Sequence, residues 1–102
     1  MTLTLMLAAI LAAVPVEKPL SAPGPLAPLA GTLRDAGKDA PVVLIIPGSG
    51  PTDRDGNNPL GVTAAPYRLL AEGLAQRGIS SVRIDKRGLF GSKTAIADPN
   101  KL

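Results

Sequence analysis

The sequence contains no cysteine, no histidine and no tryptophan, and its aromatic residues are one tyrosine and one phenylalanine. Without cysteine the chain can form neither a disulfide nor a thiolate metal site. Histidine is the commonest general base and metal ligand, so its absence means that a Ser-His-Asp triad cannot be assembled from these residues alone. We predict no metal site and no cofactor. The scarcity of aromatic side chains also limits the core that 102 residues can build.

A large excess of one charge is also lacking, because the eleven Lys and Arg residues exceed the eight Asp and Glu residues by only three, for a net charge of +3. The one basic cluster consists of Arg83, Lys86 and Arg87. Almost no aromatic side chains accompany it, so we predict no nucleic-acid partner. Eleven glycines and eleven prolines are typical of turns and loops rather than of a helical bundle.

The N-terminal residues 1–14, MTLTLMLAAILAAV, form an uncharged apolar run. A membrane span takes about 20 residues, so we predict no stable span. The run has the length of the apolar region of a signal peptide, although no Lys or Arg precedes it. We predict that residues 1–22 are a signal peptide, which implies export to the periplasm or the medium, or else a disordered N-terminus of a cytoplasmic protein. Residues 23–28 are predicted to be a proline-rich lead-in, and residues 29–102 the folded part.

Alternating and continuous apolar patterns predict two strands early in the folded part. Residues 29–34 alternate, which favours a short strand, and the polar residues 35–40 predict a hairpin loop. That loop would place the first strand antiparallel to residues 42–46. These residues, VVLII, form a continuous β-branched run that is typical of a strand buried on both faces.

A helix and a third strand are predicted to follow. Thr63 or Ala65 is the expected N-cap, Pro66 suits the first helical position, and Gly78 suits the C-terminal end. The expected apolar stripe of this helix consists of Tyr67, Leu70, Ala71 and Leu74. Residues 79–84 then predict a strand parallel to residues 42–46, which completes a βαβ unit.

The turn Pro47-Gly48-Ser49-Gly50 lies at the carboxyl end of the first βαβ strand, where open α/β sheets bind ligands. Its small residues can present backbone N–H groups, as in an oxyanion hole or an anion-binding nest. The alternative is an ordinary turn. A dinucleotide-binding fingerprint fits poorly because Asp53 occupies the position of its third glycine. No serine lies in a G-x-S-x-G motif.

Two segments, IIPGSGPTDRDGNNP and RIDKRGLFGS, closely resemble the N-terminal part of α/β-hydrolase-fold enzymes, specifically bacterial serine esterase-like members. In that family a hydrophobic strand runs into an H-G-x-x-G-type loop, and Pro47 replaces the usual His, a variation that this subgroup shares. Residues 85–92 look like the family's D-x-R-G-x-G-x-S segment, with Gly91 one place late. The resemblance covers about residues 29–100.

The resemblance implies roles for residues of both segments. Ser49 would donate one oxyanion-hole N–H, with Gly50 as the neighbouring candidate. The expected loop-supporting residues are Gly48, Asp53, Arg54, Asp55, Asp85 and Arg87. Of these, Asp53, Arg54 and Asp55 could instead line the mouth of an active site.

The implied fold is the N-terminal part of an α/β-hydrolase domain: a hairpin strand, then a βαβ unit of a mostly parallel sheet, ending before the nucleophile elbow. The implied function is carboxylic ester hydrolysis through a serine acyl-enzyme, with a small-molecule ester as substrate. The family places its Ser, its Asp or Glu and its His after the oxyanion loop, and none of these motifs is present here. Two alternatives stay open, namely a non-catalytic α/β fragment and, more weakly, a nucleotide-binding βαβ domain.

Overall fold

The computed structural model describes residues 16–98 and residue 100, and there the chain forms a four-stranded mixed sheet with one α-helix. The elements are β1 (Val16–Ala22), β2 (Leu29–Asp35), β3 (Val42–Ile45), α1 (Pro66–Gln76), β4 (Ser80–Ile84) and a 3₁₀ turn at Phe90–Ser92. The order across the sheet is β1-β2-β4-β3. The predicted α/β class is confirmed. The apolar run at residues 1–14 lies outside the described residues.

The predicted parallel pairing of β3 with β4 is confirmed, but the predicted hairpin between β2 and β3 is wrong. β2 pairs antiparallel with both β1 and β4, so only one of the pairings in this sheet is parallel. Ser80 explains the arrangement. Its Oγ accepts the N–H of Ala36 at 2.8 Å, and its own N–H donates to the carbonyl of Pro41 at 2.9 Å. Both ends of the β2–β3 connection are therefore fixed to the start of β4, which lies between the two strands.

The strand β1 was not predicted, because its sequence was assigned to a signal peptide or a disordered N-terminus. Val16–Ala22 pairs along its whole length with β2, and residues 23–28 form the connection between them. The predicted domain boundary at residue 29 therefore does not coincide with the start of the sheet. Pro19 is compatible with β1 because a strand at the edge of a sheet does not need every N–H for pairing.

The β1 edge carries features that discourage further strand pairing, namely Glu17, Lys18 and Pro19. Lys18 lies 3.4 Å from the Asp35 carboxylate on β2. The pKa of Asp35 is held below its ordinary value, first by the N–H of Gly37 and then by Lys18. A lowered carboxyl pKa contributes stability at neutral pH that is lost as the pH falls through the acidic range.

The β3 edge is different, and the prediction that this strand is buried on both faces is wrong. Val42, Leu44 and Ile46 are 62%, 55% and 66% exposed, whereas Ile45 is 8% exposed. β3 is the last strand of the sheet, and within the described residues no segment pairs with its outer edge. A continuous apolar run therefore occupies an edge position without charged residues of its own.

The helix α1 begins and ends as predicted. Ala65 is the N-cap, with a left-handed φ of 49°, and Pro66 is the first helical residue. At the other end, Gly78 has a φ of +76° and its N–H donates to the carbonyl of Ala75. The N–H of Ile79 donates to the carbonyl of Leu74, which completes a Schellman motif.

The buried face of α1 differs from the predicted stripe. Ala71 and Ala75 are buried, and Tyr67 and Leu74 are half-buried beside them. Leu70 is 50% exposed, so its inclusion in the stripe is wrong. Successive helical residues are about 100° apart, which turns Leu70 away from the sheet when Ala71 faces it. No helix in the described part of the chain has the length and hydropathy of a membrane span.

The exposed β3 edge predicts self-association that a charge will reduce. We expect Leu44→Lys to increase the monomer fraction with little loss of stability, because this side chain is exposed and a lysine on an edge strand disfavours pairing. Size-exclusion chromatography with light scattering measures the change. The matched control is Ile45→Lys, which buries a charge and should destabilise the fold by more than about 2 kcal/mol. Equal association of the wild type and Leu44→Lys would contradict the prediction.

Candidate functional site

The candidate site is the glycine loop, defined here as residues 47–50, which follows β3 after Ile46 in the connection to α1. Pro47 is buried, whereas Gly48, Ser49 and Gly50 are exposed. Because β3 and β4 are parallel neighbours, their carboxyl ends meet at the same edge of the sheet. The glycine loop therefore lies beside the residues that follow β4.

Polar contacts hold most of the loop's backbone groups. The N–H of Gly48 donates to the hydroxyl oxygen of Tyr67 at 3.3 Å. The Lys86 ammonium donates to the carbonyls of Gly48 and Gly50, the second at 2.6 Å. The Gly50 carbonyl also accepts the N–H of Thr52 at 2.9 Å. Residues from α1 and from the end of β4 thus fix the loop from two sides.

Two amides of the loop remain available. The Ser49 carbonyl accepts the hydroxyl of Thr52 at 3.4 Å, but the N–H groups of Ser49 and Gly50 donate to no protein acceptor within the described residues. Gly50 has a φ of +79°, in the left-handed region that glycine adopts readily. Anion-binding nests form where a residue in the right-handed conformation is followed by one in the left-handed conformation. These are the two N–H groups that the sequence predicted as oxyanion donors.

The predicted supporting residues Asp53 and Asp55 stabilise the part of the β3–α1 connection that follows the glycine loop, rather than the loop itself. Asp53 Oδ1 accepts the N–H groups of Asp55 and Asn57 at 2.9 and 3.0 Å. The Asp55 carboxylate lies 3.1 Å from Arg83, which is 1% exposed. The geometry therefore agrees with the loop-fixing interpretation of these two carboxylates.

The N-terminus of α1 is occupied by the same connection. The carbonyl of Asp55 accepts the N–H groups of Tyr67 and Arg68 at 3.0 and 3.4 Å. In a nucleotide-binding βαβ unit the helix opens from the glycine-rich turn and its first N–H groups bind phosphate. Here the helix starts only at Pro66 and these amides already have an acceptor, which argues against the nucleotide-binding alternative.

Asp85 is the predicted residue with the most structural contacts. Its carboxylate accepts the N–H of Arg54 at 2.9 Å and that of Gly91 at 3.0 Å, and the Arg54 guanidinium lies 3.8 Å away. The Asp85 carbonyl accepts the hydroxyl of Ser92 at 2.7 Å, and Ser92 Oγ in turn accepts the N–H of Ala30. Asp85 and Ser92 are 2% and 0% exposed. This group of residues ties β2, the end of β4 and the connection after β3 together.

Arg87 does not take part in this network. Its side chain is exposed and lines an open groove with Leu26, Ile96 and Asp98, on a part of the surface built from the β1–β2 connection and the residues after the 3₁₀ turn. Among the described contacts none joins Arg87 to the glycine loop. The groove places Arg87 beside two other connections, so its expected role in tying loops together stays a prediction, and no described contact assigns it to the glycine loop.

Three residues that contact the glycine loop were not predicted as site residues, namely Lys86, Tyr67 and Thr52. Tyr67 was assigned to the apolar stripe of the helix, and its hydroxyl group reaches Gly48 from there. Lys86 could have been found, because it lies two residues after the end of β4, and the residues that follow β4 lie beside the loop that follows its parallel neighbour. Within the described residues, no group of three or more acidic side chains is placed to hold a metal ion.

Removal of the Asp85 carboxylate is expected to destabilise the protein. In Asp85→Ala the partly buried N–H groups of Arg54 and Gly91 lose their acceptor, which should cost about 3 kcal/mol of unfolding free energy. Asp85→Asn is the matched control, because its one carbonyl oxygen keeps one of the two bonds and should reduce the loss by about half. Urea denaturation followed by circular dichroism measures both. An unfolding free energy of Asp85→Ala equal to that of the wild type would contradict the prediction.

The chain was compared with protein-family models, with curated proteins and with solved structures, and no match was found in any of the three.

Proposed function

We propose that the glycine loop is the oxyanion-binding element of a serine-type carboxylic ester hydrolase with an α/β-hydrolase fold. One observation carries the proposal. Within the described residues the N–H groups of Ser49 and Gly50 have no acceptor, and both residues are exposed, on a loop whose neighbouring N–H and carbonyl groups are bound by Tyr67, Lys86 and Thr52. A preorganised pair of donors is what an oxyanion requires.

The reaction explains the need for these donors. A serine hydroxyl attacks the ester carbonyl and transfers its proton to a base, and the carbonyl oxygen becomes negatively charged in the tetrahedral intermediate. Collapse expels the alcohol, and water then hydrolyses the acyl-enzyme. The N–H groups of Ser49 and Gly50 would hold the oxyanion in both steps. One such donor contributes about 3–4 kcal/mol to the barrier reduction in a known serine hydrolase.

The place of the loop in the fold supports the same function. In α/β-hydrolases one oxyanion donor comes from the loop between the third strand and the first helix, and the glycine loop occupies that connection here. Both edges of β4 are already paired and the β1 edge carries Glu17, Lys18 and Pro19, so the outer edge of β3 is the edge best suited to a further parallel strand. The strand order would then reverse at β3, and ligands of open α/β sheets bind at such switch points.

The other parts of the proposed machinery are not among these residues. The chain has no histidine and no serine in a G-x-S-x-G motif. The proposal therefore assigns oxyanion binding to this chain and leaves the nucleophile, the acid and the base to residues that it does not contain. Acting alone, the chain would then behave as the non-catalytic α/β fragment that the sequence left open as an alternative.

We expect the chain alone to show no turnover of p-nitrophenyl acetate, because it has neither an activated serine nor a histidine base. Release of p-nitrophenol above the rate of a heat-denatured sample measures this. Hydrolysis that a serine-directed fluorophosphonate abolishes would show a nucleophile within the chain and would refute this division of roles.

Anion binding by the glycine loop is tested with acetate and a pair of Ser49 variants. The backbone N–H of residue 49 is kept in Ser49→Ala and removed in Ser49→Pro. We expect saturable shifts of the Gly50 amide signal in ¹⁵N-edited NMR spectra for the wild type and for Ser49→Ala. Binding should be at least about tenfold weaker in Ser49→Pro, because a donor to a charged acceptor is lost.

The melting temperature of each variant is the control for folding, since residue 49 is exposed and neither change should lower it by much. Loss of binding in Ser49→Ala would assign the site to the hydroxyl group instead. Absence of any saturable shift in the wild type would refute the oxyanion-binding function.

A further inference from the structure

We propose that Lys86 is the positioning residue of the glycine loop: its ammonium group sets the direction in which the Ser49 amide points. This inference rests on the proposed function, because it assigns a role in the same site. Lys86 follows β4 in the chain, and its Nζ donates to the carbonyls of Gly48 and Gly50. In the sequence Lys86 stands out only as a member of the basic cluster with Arg83 and Arg87.

The geometry of the peptide bond links Lys86 to Ser49. In a trans peptide the carbonyl of one residue and the N–H of the next point in opposite directions, and the described chain has no cis peptide bond. A donor that holds the Gly48 carbonyl therefore holds the Ser49 N–H on the side away from the lysine. The hydroxyl of Thr52 acts in the same way on the next peptide, since it binds the Ser49 carbonyl and leaves the Gly50 N–H opposite.

Side-chain packing cannot fix this loop. Apart from its chain neighbours, a Cβ atom built on Gly50 would find no heavy atom of the described residues within 4 Å, and one built on Gly48 would meet just the Tyr67 hydroxyl, at 3.7 Å. Glycine also has the widest choice of backbone conformations. The polar contacts are therefore what restricts the loop, and those of Lys86 are the charge-assisted ones, which are roughly twice as strong as neutral hydrogen bonds.

The chemistry of lysine suits two convergent acceptors. An ammonium group has three donors and no acceptor, so one Nζ atom can bind both carbonyls and still contact water. Because Lys86 extends from the carboxyl end of β4, it joins the two parallel strands at the edge where the loop lies. The position of the Ser49 and Gly50 amides thus depends on β4 as well as on β3.

A positive charge near the loop would attract anions even without a positioning role, so the test must separate the two effects. Arg87 provides the control. It carries the same charge, is the next residue in the chain, is exposed and lines a groove away from the loop contacts. Lys86→Met and Arg87→Met therefore remove equal net charge, and only the first removes the donor to the Gly48 and Gly50 carbonyls.

The first measurement needs no ligand. We expect ¹⁵N relaxation order parameters of the Ser49 and Gly50 amides to be near 0.8 in the wild type and in Arg87→Met, values on the order of those of a rigid backbone. In Lys86→Met they should fall below about 0.6, the range of flexible segments. Equal order parameters in all three proteins would overturn the positioning role, whether or not the loop binds an anion.

The second measurement is the dissociation constant for acetate, from the shift of the Gly50 amide signal. We expect Lys86→Met to weaken binding by at least about tenfold and Arg87→Met by less than about twofold. Lys86→Gln, which is neutral but can donate to one carbonyl, should restore part of the loss. Equal weakening in Lys86→Met and Arg87→Met, or no recovery in Lys86→Gln, would show that Lys86 affects acetate binding only through its charge.

The outcomes distinguish this inference from the proposed function. If the wild type binds acetate and the Lys86 variants behave like Arg87→Met, the oxyanion-binding function stands and the positioning role is refuted. If the wild type does not bind acetate, the proposed function is refuted, and the order parameters still decide whether Lys86 holds the loop. Melting temperatures within a few degrees of the wild type show that each variant is folded.

Discussion

The buried carboxylate of Asp85 is the contact on which the site region depends. It holds two backbone N–H groups, one in the connection after β3 and one in the 3₁₀ turn, while its own carbonyl accepts the hydroxyl of Ser92. Ser92 extends the network to β2 through the N–H of Ala30. A small sheet with few aromatic side chains gains little rigidity from its core. Here hydrogen bonds between buried polar groups define how the connections sit at the carboxyl edge of the sheet.

Two successive residues after β4 stabilise different parts of the structure. Asp85 points inward and fixes the connections to each other, whereas Lys86 reaches the carbonyls of the glycine loop. Neighbouring residues of an extended chain project to opposite sides, so one short segment can serve both purposes. The carbonyls that precede the N–H groups of Ser49 and Gly50 are both held, and among the described residues neither N–H has an acceptor. Under the proposed function these two amides bind the oxyanion.

Local features of the fold could be predicted from sequence, and long-range ones could not. Pro66 and Gly78 act within a few residues, so the bounds of α1 followed from them. The pairing of β2 with β4 instead joins residues about 50 apart in the chain, and its supporting hydrogen bond from Ala36 to Ser80, 44 residues away, carries no local signal. A continuous apolar run such as β3 is equally compatible with a central strand and an edge strand. At the site, the backbone donors could be predicted from the small residues of the loop. The contact of Lys86 with the loop could not be predicted from those residues, because it depends on which strand ends are neighbours in the sheet.

The strand that carries the glycine loop is also the strand with the open edge. Any segment that pairs with β3 would lie beside the residues that lead directly into Ser49 and Gly50. If such pairing restricts the loop, it favours the bound conformation, and thermodynamic reciprocity requires that a ligand in the loop strengthens the pairing by the same factor. The affinity of the glycine loop for its ligand and the affinity of β3 for a pairing strand are then changed by the same coupling free energy.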